Sequence, residues 1–150
     1  MSDKIDFILE RYKYIMTRKR DLNEASLKIT TIYQAAIALL FPGQFNVFSY
    51  WKSGLFTKEL AISASVGLLI LLFAVTVLNV ALFIGGIAAW FKYRKDEAAI
   101  EREVLGSARK APSIGSVLTW YETYLVMVVI CIGVVGSYCS LFLIMPAIKS

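Results

Sequence analysis

The sequence predicts an all-α membrane protein, with an N-terminal amphipathic helix followed by three transmembrane helices, the N-terminus inside the cell and the C-terminus outside. The first observation is the run from Leu60 to Phe91, where thirty-two consecutive positions carry no charged residue. About twenty apolar residues cross a hydrocarbon layer of ~30 Å, so this run is long enough to span it. The second observation is a hydrophobic content of 58% in 150 residues, which leaves no room for a soluble domain of ordinary size.

Positive charge is unevenly distributed, and this third observation sets the orientation. Of the 16 Lys and Arg residues, seven lie in residues 1–28 and six lie in residues 92–110. Loops rich in Lys and Arg remain on the cytoplasmic side of a membrane. Both segments are therefore expected in the cytoplasm, and the protein is expected to be a multi-pass protein of the cell inner membrane.

Residues 1–24 are predicted to form a cytoplasmic amphipathic helix. Apolar residues recur at steps of three and four from Ile5 to Leu22, and the other face is rich in Lys and Arg. Such a helix either lies along the inner membrane surface or packs against copies of itself. No helix breaker occurs between Asp3 and Phe41, so the helix can continue directly into the first crossing.

The first crossing is predicted for residues 25–41, with Pro42 and Gly43 ending the helix. Seventeen residues lie at the lower limit for a complete span, so a re-entrant segment is the alternative. The following residues, 42–58, are dense in aromatic side chains. This composition predicts a loop in the outer interface of the membrane.

The second crossing is predicted to continue into a cytoplasmic helical extension over residues 92–110, which Gly106 and then Pro112 bring to an end. Either Ser113 or Ser116 is suited to cap the helix that follows.

The third crossing is expected to run to about Met145, which completes a transmembrane domain over residues 25–148. Glu122 lies at the entry of this helix, beside an aromatic belt at the inner interface. Its carboxylate is expected either to be solvated at the interface or to pair with Arg94, Lys95 or Arg18 of a neighbour.

Small residues repeat every seven positions along the second crossing, with an adjacent row at four-residue steps through Gly85, and every four positions in part of the third. Inside a membrane, small side chains let two helices approach closely, because packing rather than hydrophobicity drives association there. The predicted helix-packing residues are Gly67, Ala74, Ala81, Gly85, Ala88, Gly133 and Ser137.

Polar side chains within the crossings are the candidates for pore-lining or gating contacts. They are Gln34 in the first crossing and Thr76 and Asn79 in the second. A buried amide in lipid needs a partner, which is a neighbouring helix, another copy of the chain or water in a pore.

The cytoplasmic helices carry a predicted basic surface. The membrane surface is the first explanation for these charges, and an acidic cytoplasmic protein or an anionic nucleotide is the second. The residues are Arg11, Lys13, Arg18, Lys19, Arg20, Arg94 and Lys95.

Catalytic chemistry is not predicted. The chain has no histidine, no glycine-rich phosphate loop and no spacing typical of metal ligands. We therefore expect no enzyme, no cofactor, no metal and no direct readout of DNA.

Three stretches resemble the SLATT-like membrane effectors that accompany bacterial anti-phage and CRISPR systems: Arg11-Tyr12-Lys13-Tyr14-Ile15, Leu22-Asn23-Glu24 and Ile32-Tyr33-Gln34. The likeness lies in an N-terminal helix that leads directly into short membrane spans, and the predicted third crossing departs from the two-span layout of that family. The resemblance implies a homo-oligomer that permeabilises or depolarises the inner membrane once a cytoplasmic defence protein or ligand triggers it. It assigns no role to individual residues.

Two other functions fit the same composition. One is a structural or accessory subunit of a larger membrane complex, in which the small-residue surfaces bind different chains. The other is a small ion channel or transporter with a housekeeping role.

Overall fold

The computed structural model describes residues 2–106 and 112–149, and of residues 2–5, 105 and 114 it describes the backbone alone. All regular elements in this part of the chain are helical. In chain order they are α1 (Ser2–Lys52), α2 (Lys58–Leu105), α3 (Ile114–Val117), α4 (Tyr121–Tyr138), a π-helical turn (Cys139–Ile144) and α5 (Met145–Lys149).

Within residues 2–106 and 112–149, three helical stretches are long and apolar enough to cross a membrane: Asp6–Lys52, Lys58–Val104 and Tyr121–Lys149. The prediction of three apolar crossings is confirmed at this level, and the protein is a multi-pass membrane protein.

The amphipathic segment and the first crossing form one continuous helix, α1, that passes through Pro42 and ends at Lys52. The prediction that Pro42 and Gly43 end the helix was wrong. A proline removes one backbone hydrogen bond, whereas ending a helix within lipid leaves several peptide groups without any partner. The uncharged part of α1 therefore runs over the 23 residues from Ile29 to Trp51, which is about 34 Å at 1.5 Å per residue.

The end of α1 is formed at Gly54, which has a φ of 78°. The amide of Leu55 donates to the carbonyl of Tyr50 at 2.9 Å, which closes the last turn. The predicted loop over residues 42–58 was therefore too long, because only residues 53–57 separate α1 from α2. Most of its aromatic residues lie within the last turns of α1 instead, where the ring centroids of Phe48 and Trp51 are 5.7 Å apart.

The predicted continuation of the second crossing is present, since α2 runs without a break to Leu105 and is followed by Gly106 with a φ of 66°. The remainder of the predicted extension, residues 107–110, lies outside the described residues. Ser113 is the N-cap of α3, and its side chain accepts a hydrogen bond from the amide of Ser116. Of the two serines predicted as caps, Ser113 is therefore the one that caps this helix.

The last span changes its hydrogen-bonding pattern before Pro146. The amide of Met145 donates to the carbonyl of Ser140, five residues back, at the end of the π-helical turn. A proline ring clashes with the carbonyl four residues before it, and a π turn is a wider turn that relieves such crowding. The helical structure therefore continues past Pro146 to Lys149.

The chain divides into two compact units, Met1–Lys28 with Leu82–Leu125, and Ile29–Ala81 with Val126–Ser150. The first, called the charged unit, contains thirteen of the 16 Lys and Arg and ten of the 11 Asp and Glu. The second is called the apolar unit. Ile15 and Phe83 are buried in the charged unit, whereas Val47, Ala61 and Ile148 form the centre of a hydrophobic cluster in the apolar unit.

Candidate functional site

A buried amide joins three helical segments of the apolar unit. Gln44 is 8% exposed, and its Nε2 donates to the carbonyl of Ser65 at 2.9 Å and to Oγ of Ser140 at 3.1 Å. Both hydrogens of the amide are thus used. Because Ser140 belongs to the π-helical turn, this turn is fixed to α1 by a hydrogen bond and not by apolar packing alone.

Two oxygens of this cluster, Oε1 of Gln44 and Oγ of Ser65, are buried and have no hydrogen-bond partner among the described residues. A cavity of about 70 Å³ lies beside Gln44 and Ser140. Such a volume exceeds the space that one water molecule requires. Apolar side chains form most of the remaining wall, so the polar end of the cavity is confined to the glutamine and the serine.

Tyr33 forms a second polar contact in this unit. Its side chain is 2% exposed, and the hydroxyl donates to the carbonyl of Val129 at 3.1 Å. Oγ1 of Thr76 donates to the carbonyl of Leu72 at 2.8 Å and lies 3.5 Å from the Tyr33 hydroxyl. Since each hydroxyl has only one hydrogen and both are used elsewhere, the 3.5 Å contact is a polar contact rather than a hydrogen bond.

The three predicted pore or gating residues are found in different environments. Asn79 is 4% exposed, its Nδ2 donates to the carbonyl of Val75 one turn earlier, and its Oδ1 is buried with no partner in the described chain. Thr76 is half-buried, and Gln34 is exposed on α1. Among the described residues, no hydrogen bond joins any two of these three.

The small residues of the third span are closely packed. A Cβ added to Gly133 would lie 2.7 Å from the γ-methyl of Thr76, and one added to Gly136 would lie 2.9 Å from Leu72 and 3.0 Å from Phe41. Distances this short leave no space for a side chain. Gly133 thus lies at a close contact between α4 and α2, and Ser137, one turn later, is half-buried.

The small residues of α2 have a different environment. The predicted packing residues of this helix are all exposed, namely Gly67, Ala74, Ala81, Gly85 and Ala88. A Cβ added to Gly67, Gly85 or Gly86 would meet nothing within 4 Å. We call the five exposed residues Gly67, Ala74, Ala81, Gly85 and Ala88 the open small-residue face. It is not used in the packing of the described chain.

The charged unit contains a partly buried ion pair between Nζ of Lys19 and the carboxylate of Glu97, 2.9 Å apart, with side chains 14% and 4% exposed. The same ammonium lies 5.0 Å from the ring centroid of Trp90, and the guanidinium of Arg94 lies 5.4 Å from it. The Trp90 ring is therefore in contact with two cations, an interaction favoured by the negative potential of an aromatic face.

A cleft of about 260 Å³ adjoins this tryptophan, and its lining residues are Asn23, Trp90, Arg94, Trp120, Tyr121 and Glu122. The rings of Trp90 and Trp120 have centroids 6.1 Å apart. Glu122 is only 5% exposed. The expectation of a solvated Glu122 was therefore wrong.

The alternative expectation for Glu122 was an ion pair with a basic residue of a neighbour, and within the described chain no such pair is found. The ion pairs found there are Arg18–Asp21, Lys19–Glu97 and Arg20–Glu24, and none includes Glu122 or Arg94. Glu122 lies in the first turn of α4, where the helix dipole favours a carboxylate by about 0.3–1 kcal/mol. Removing a carboxylate from water costs several kcal/mol, so the dipole offsets only part of the burial.

The predicted basic surface is largely exposed. Arg11, Lys13, Arg18, Arg20 and Lys95 are exposed, whereas Arg94 and Lys19 are half-buried and contact Trp90. Two of the exposed residues are partly neutralised within their own helix, because Arg18 lies 3.7 Å from Asp21 and Arg20 lies 3.9 Å from Glu24. Arg11 and Lys13 therefore provide the more freely available charge.

Comparison with protein-family models, with curated proteins and with solved structures found no match to this chain.

Sequence reasoning missed two polar groupings. The Gln44 cluster was missed because Gln44 follows Pro42 and was placed in a loop. The cleft was missed because Glu122 was considered apart from Trp90 and Trp120, although all three adjoin the charged ends of apolar runs. That shared position at the ends of two spans was a usable signal.

Proposed function

We propose that the protein is a homo-oligomeric membrane effector that permeabilises or depolarises the membrane. The observation that supports this most strongly is the open small-residue face of α2, whose five residues between Gly67 and Ala88 are all exposed. In lipid, a face of Gly and Ala offers close backbone approach to another helix.

Gln34 supports self-association independently. Its amide is exposed and lies six residues into the uncharged stretch that begins at Ile29, and no hydrogen bond of its side chain is found among the described residues. An amide facing hydrocarbon lacks the partners that water supplies. A second copy of the chain, or water in an assembled pore, provides those partners.

The basic helices supply the proposed control point. Arg11 and Lys13 present positive charge where an acidic protein, an anionic nucleotide or anionic lipid would bind. A trigger that binds there acts on α1, the same helix that carries Gln34 through the membrane. The resemblance to SLATT-like effectors favours phage infection as the event that supplies the trigger and the bacterial inner membrane as the location.

The test is to express the protein with its genomic neighbours and to follow a potential-sensitive dye before and after phage challenge. We expect depolarisation in infected cells with the wild-type chain and a reduced response with Gln34→Leu. Ile32→Leu, which also changes an exposed residue of α1, is the matched control and should leave the response unchanged. Cells that stay polarised at normal protein levels would count against the effector function.

Asn79→Leu refines the same test. Asn79 is buried, so its replacement can affect either conduction or folding. Loss of the dye response with assembly intact would place Asn79 in the conduction path, whereas loss of assembly would show a structural role.

A subunit of a larger membrane complex is the second candidate, since the same open face could bind a different chain. Mass measurement of the detergent-solubilised protein expressed alone separates the two. A defined homo-oligomer supports the effector, and a monomer supports the subunit.

A further inference from the structure

The cleft of the charged unit combines a buried carboxylate with a guanidinium, and neither forms an ion pair among the described residues. Glu122 is 5% exposed and lines the cleft. Buried charges in proteins are paired or hydrogen-bonded. Glu122 therefore requires a cation with N–H donors, and Arg94, on the same wall, favours an anion.

A ligand that satisfies both groups carries an ammonium and a phosphate a few bonds apart. We propose that this cleft binds the headgroup of an ethanolamine phospholipid, with its ammonium at Glu122 and its phosphate at Arg94. The amide of Asn23 adds a donor at the cleft, and Trp90 has a buried Nε1–H without an acceptor in the described chain. Guanidinium and amide groups are common phosphate donors in proteins.

The choice of a primary ammonium follows from two features. A carboxylate that has lost its water needs hydrogen-bond donors, and a primary ammonium has three N–H donors whereas a quaternary one has none. Sites for quaternary ammonium groups also rely on free aromatic faces. In this cleft the face of Trp90 is already contacted by the cations of Lys19 and Arg94.

Location and size favour a lipid headgroup over a nucleotide. Trp90 is two residues before Lys92, which ends the uncharged run of α2, and Glu122 immediately precedes the uncharged run of α4. Aromatic residues at such positions lie at the level of lipid headgroups. The volume of about 260 Å³ is just below the range of about 300–1,000 Å³ typical of pockets for drug-sized ligands.

The experiment uses the purified full-length protein, incubated with an equimolar mixture of phosphatidylethanolamine, phosphatidylglycerol and phosphatidylcholine with matched acyl chains. Native mass spectrometry then measures which lipids are retained. We expect the wild-type protein to retain the ethanolamine lipid about tenfold more than the other two. Glu122→Gln should remove the preference over phosphatidylglycerol, and Arg94→Gln should reduce retention of the ethanolamine lipid.

Glu101→Gln and Arg102→Gln are the matched controls, since they remove a carboxylate and a guanidinium from α2 outside the cleft, and both should retain the wild-type preference. Equal retention of the three lipids by the wild-type protein would overturn the proposal, as would an unchanged preference in Glu122→Gln. Full displacement of the lipid by equimolar soluble phosphoethanolamine would also overturn it, because the ligand would then be a soluble ester.

Tryptophan fluorescence in a Trp51→Phe background is the second readout. The Trp51→Phe substitution leaves Trp90 and Trp120, both at the cleft, as the only tryptophans. A shift on addition of ethanolamine phospholipid, absent with phosphatidylglycerol, is expected. If Glu122→Gln does not fold, Arg94→Gln and the lipid ranking of the wild-type protein still decide the proposal.

Discussion

The glycines of α4 and the glycines of α2 look alike in the sequence but do different work in the fold. Gly133 and Gly136 are buried, and other side chains occupy the space that a Cβ would need. Gly67 and Gly85 are exposed, with nothing within 4 Å of an added Cβ. A small-residue repeat therefore shows where close approach is possible, and only the fold shows whether the chain itself supplies the partner.

The largest effect is expected at the close contact between Gly133 and Thr76. Gly133→Leu should destabilise the fold by about 3 kcal/mol, the upper end of typical overpacking costs. Thr76 cannot easily move away, because its hydroxyl is hydrogen-bonded to the carbonyl of Leu72 and its β-branched side chain has few rotamers. Unfolding of the purified protein in mixed micelles measures the change. Val135→Leu, at an exposed position of the same helix, should be neutral, and equal stability of the two variants would refute the closed packing of Gly133.

An intermediate effect is expected at the open face. Ala81→Leu adds bulk where a second helix would approach, so it should weaken association by about 1–2 kcal/mol while the stability of the monomer stays unchanged. Sedimentation equilibrium in detergent measures association directly. Leu82→Ala, at the adjacent position of α2, should weaken association less. If neither variant alters oligomer size, the open small-residue face is a lipid-facing surface.

The smallest effect has the opposite sign. Gly67→Ala places a methyl group in open space and removes backbone entropy from the unfolded chain, so the helix should gain about 0.5–1 kcal/mol. This gain in stability is measured by thermal unfolding at a protein concentration low enough to keep the protein monomeric. Loss of stability in the monomer would show that this face is packed within the chain.

The three apolar crossings could be predicted from the sequence because each crossing depends mainly on its own local composition. Leu60–Phe91 needed only its length and lack of charge to be recognised. Pro42 misled the prediction because its usual meaning comes from helices in water, where freed peptide groups can be solvated. The pairing of Gln44 with Ser140 could not be predicted from local patterns, since it joins positions 96 residues apart.

Orientation remains a prediction from the distribution of Lys and Arg. Reporter fusions at the two ends should place the N-terminus in the cytoplasm and Ser150 outside. If both ends report the same compartment, the number of complete crossings is even and α1 enters and leaves on one side.

The π-helical turn alters the angular phase of the last span. From Val129 onward, the buried positions along it are Val129, Gly133, Gly136 and Ser140, then Met145 and Ile148, so the steps of three and four are interrupted by a single step of five. One extra residue in a turn rotates everything beyond it by about 100° relative to an unbroken α-helix. A helical wheel drawn through the whole span would place Leu143 inside, yet it is 58% exposed while Ile148 is fully buried. The extra residue thus rotates the residues after the π-helical turn by a fixed angle. As a result, Ile148 packs in the hydrophobic cluster with Val47 and Ala61.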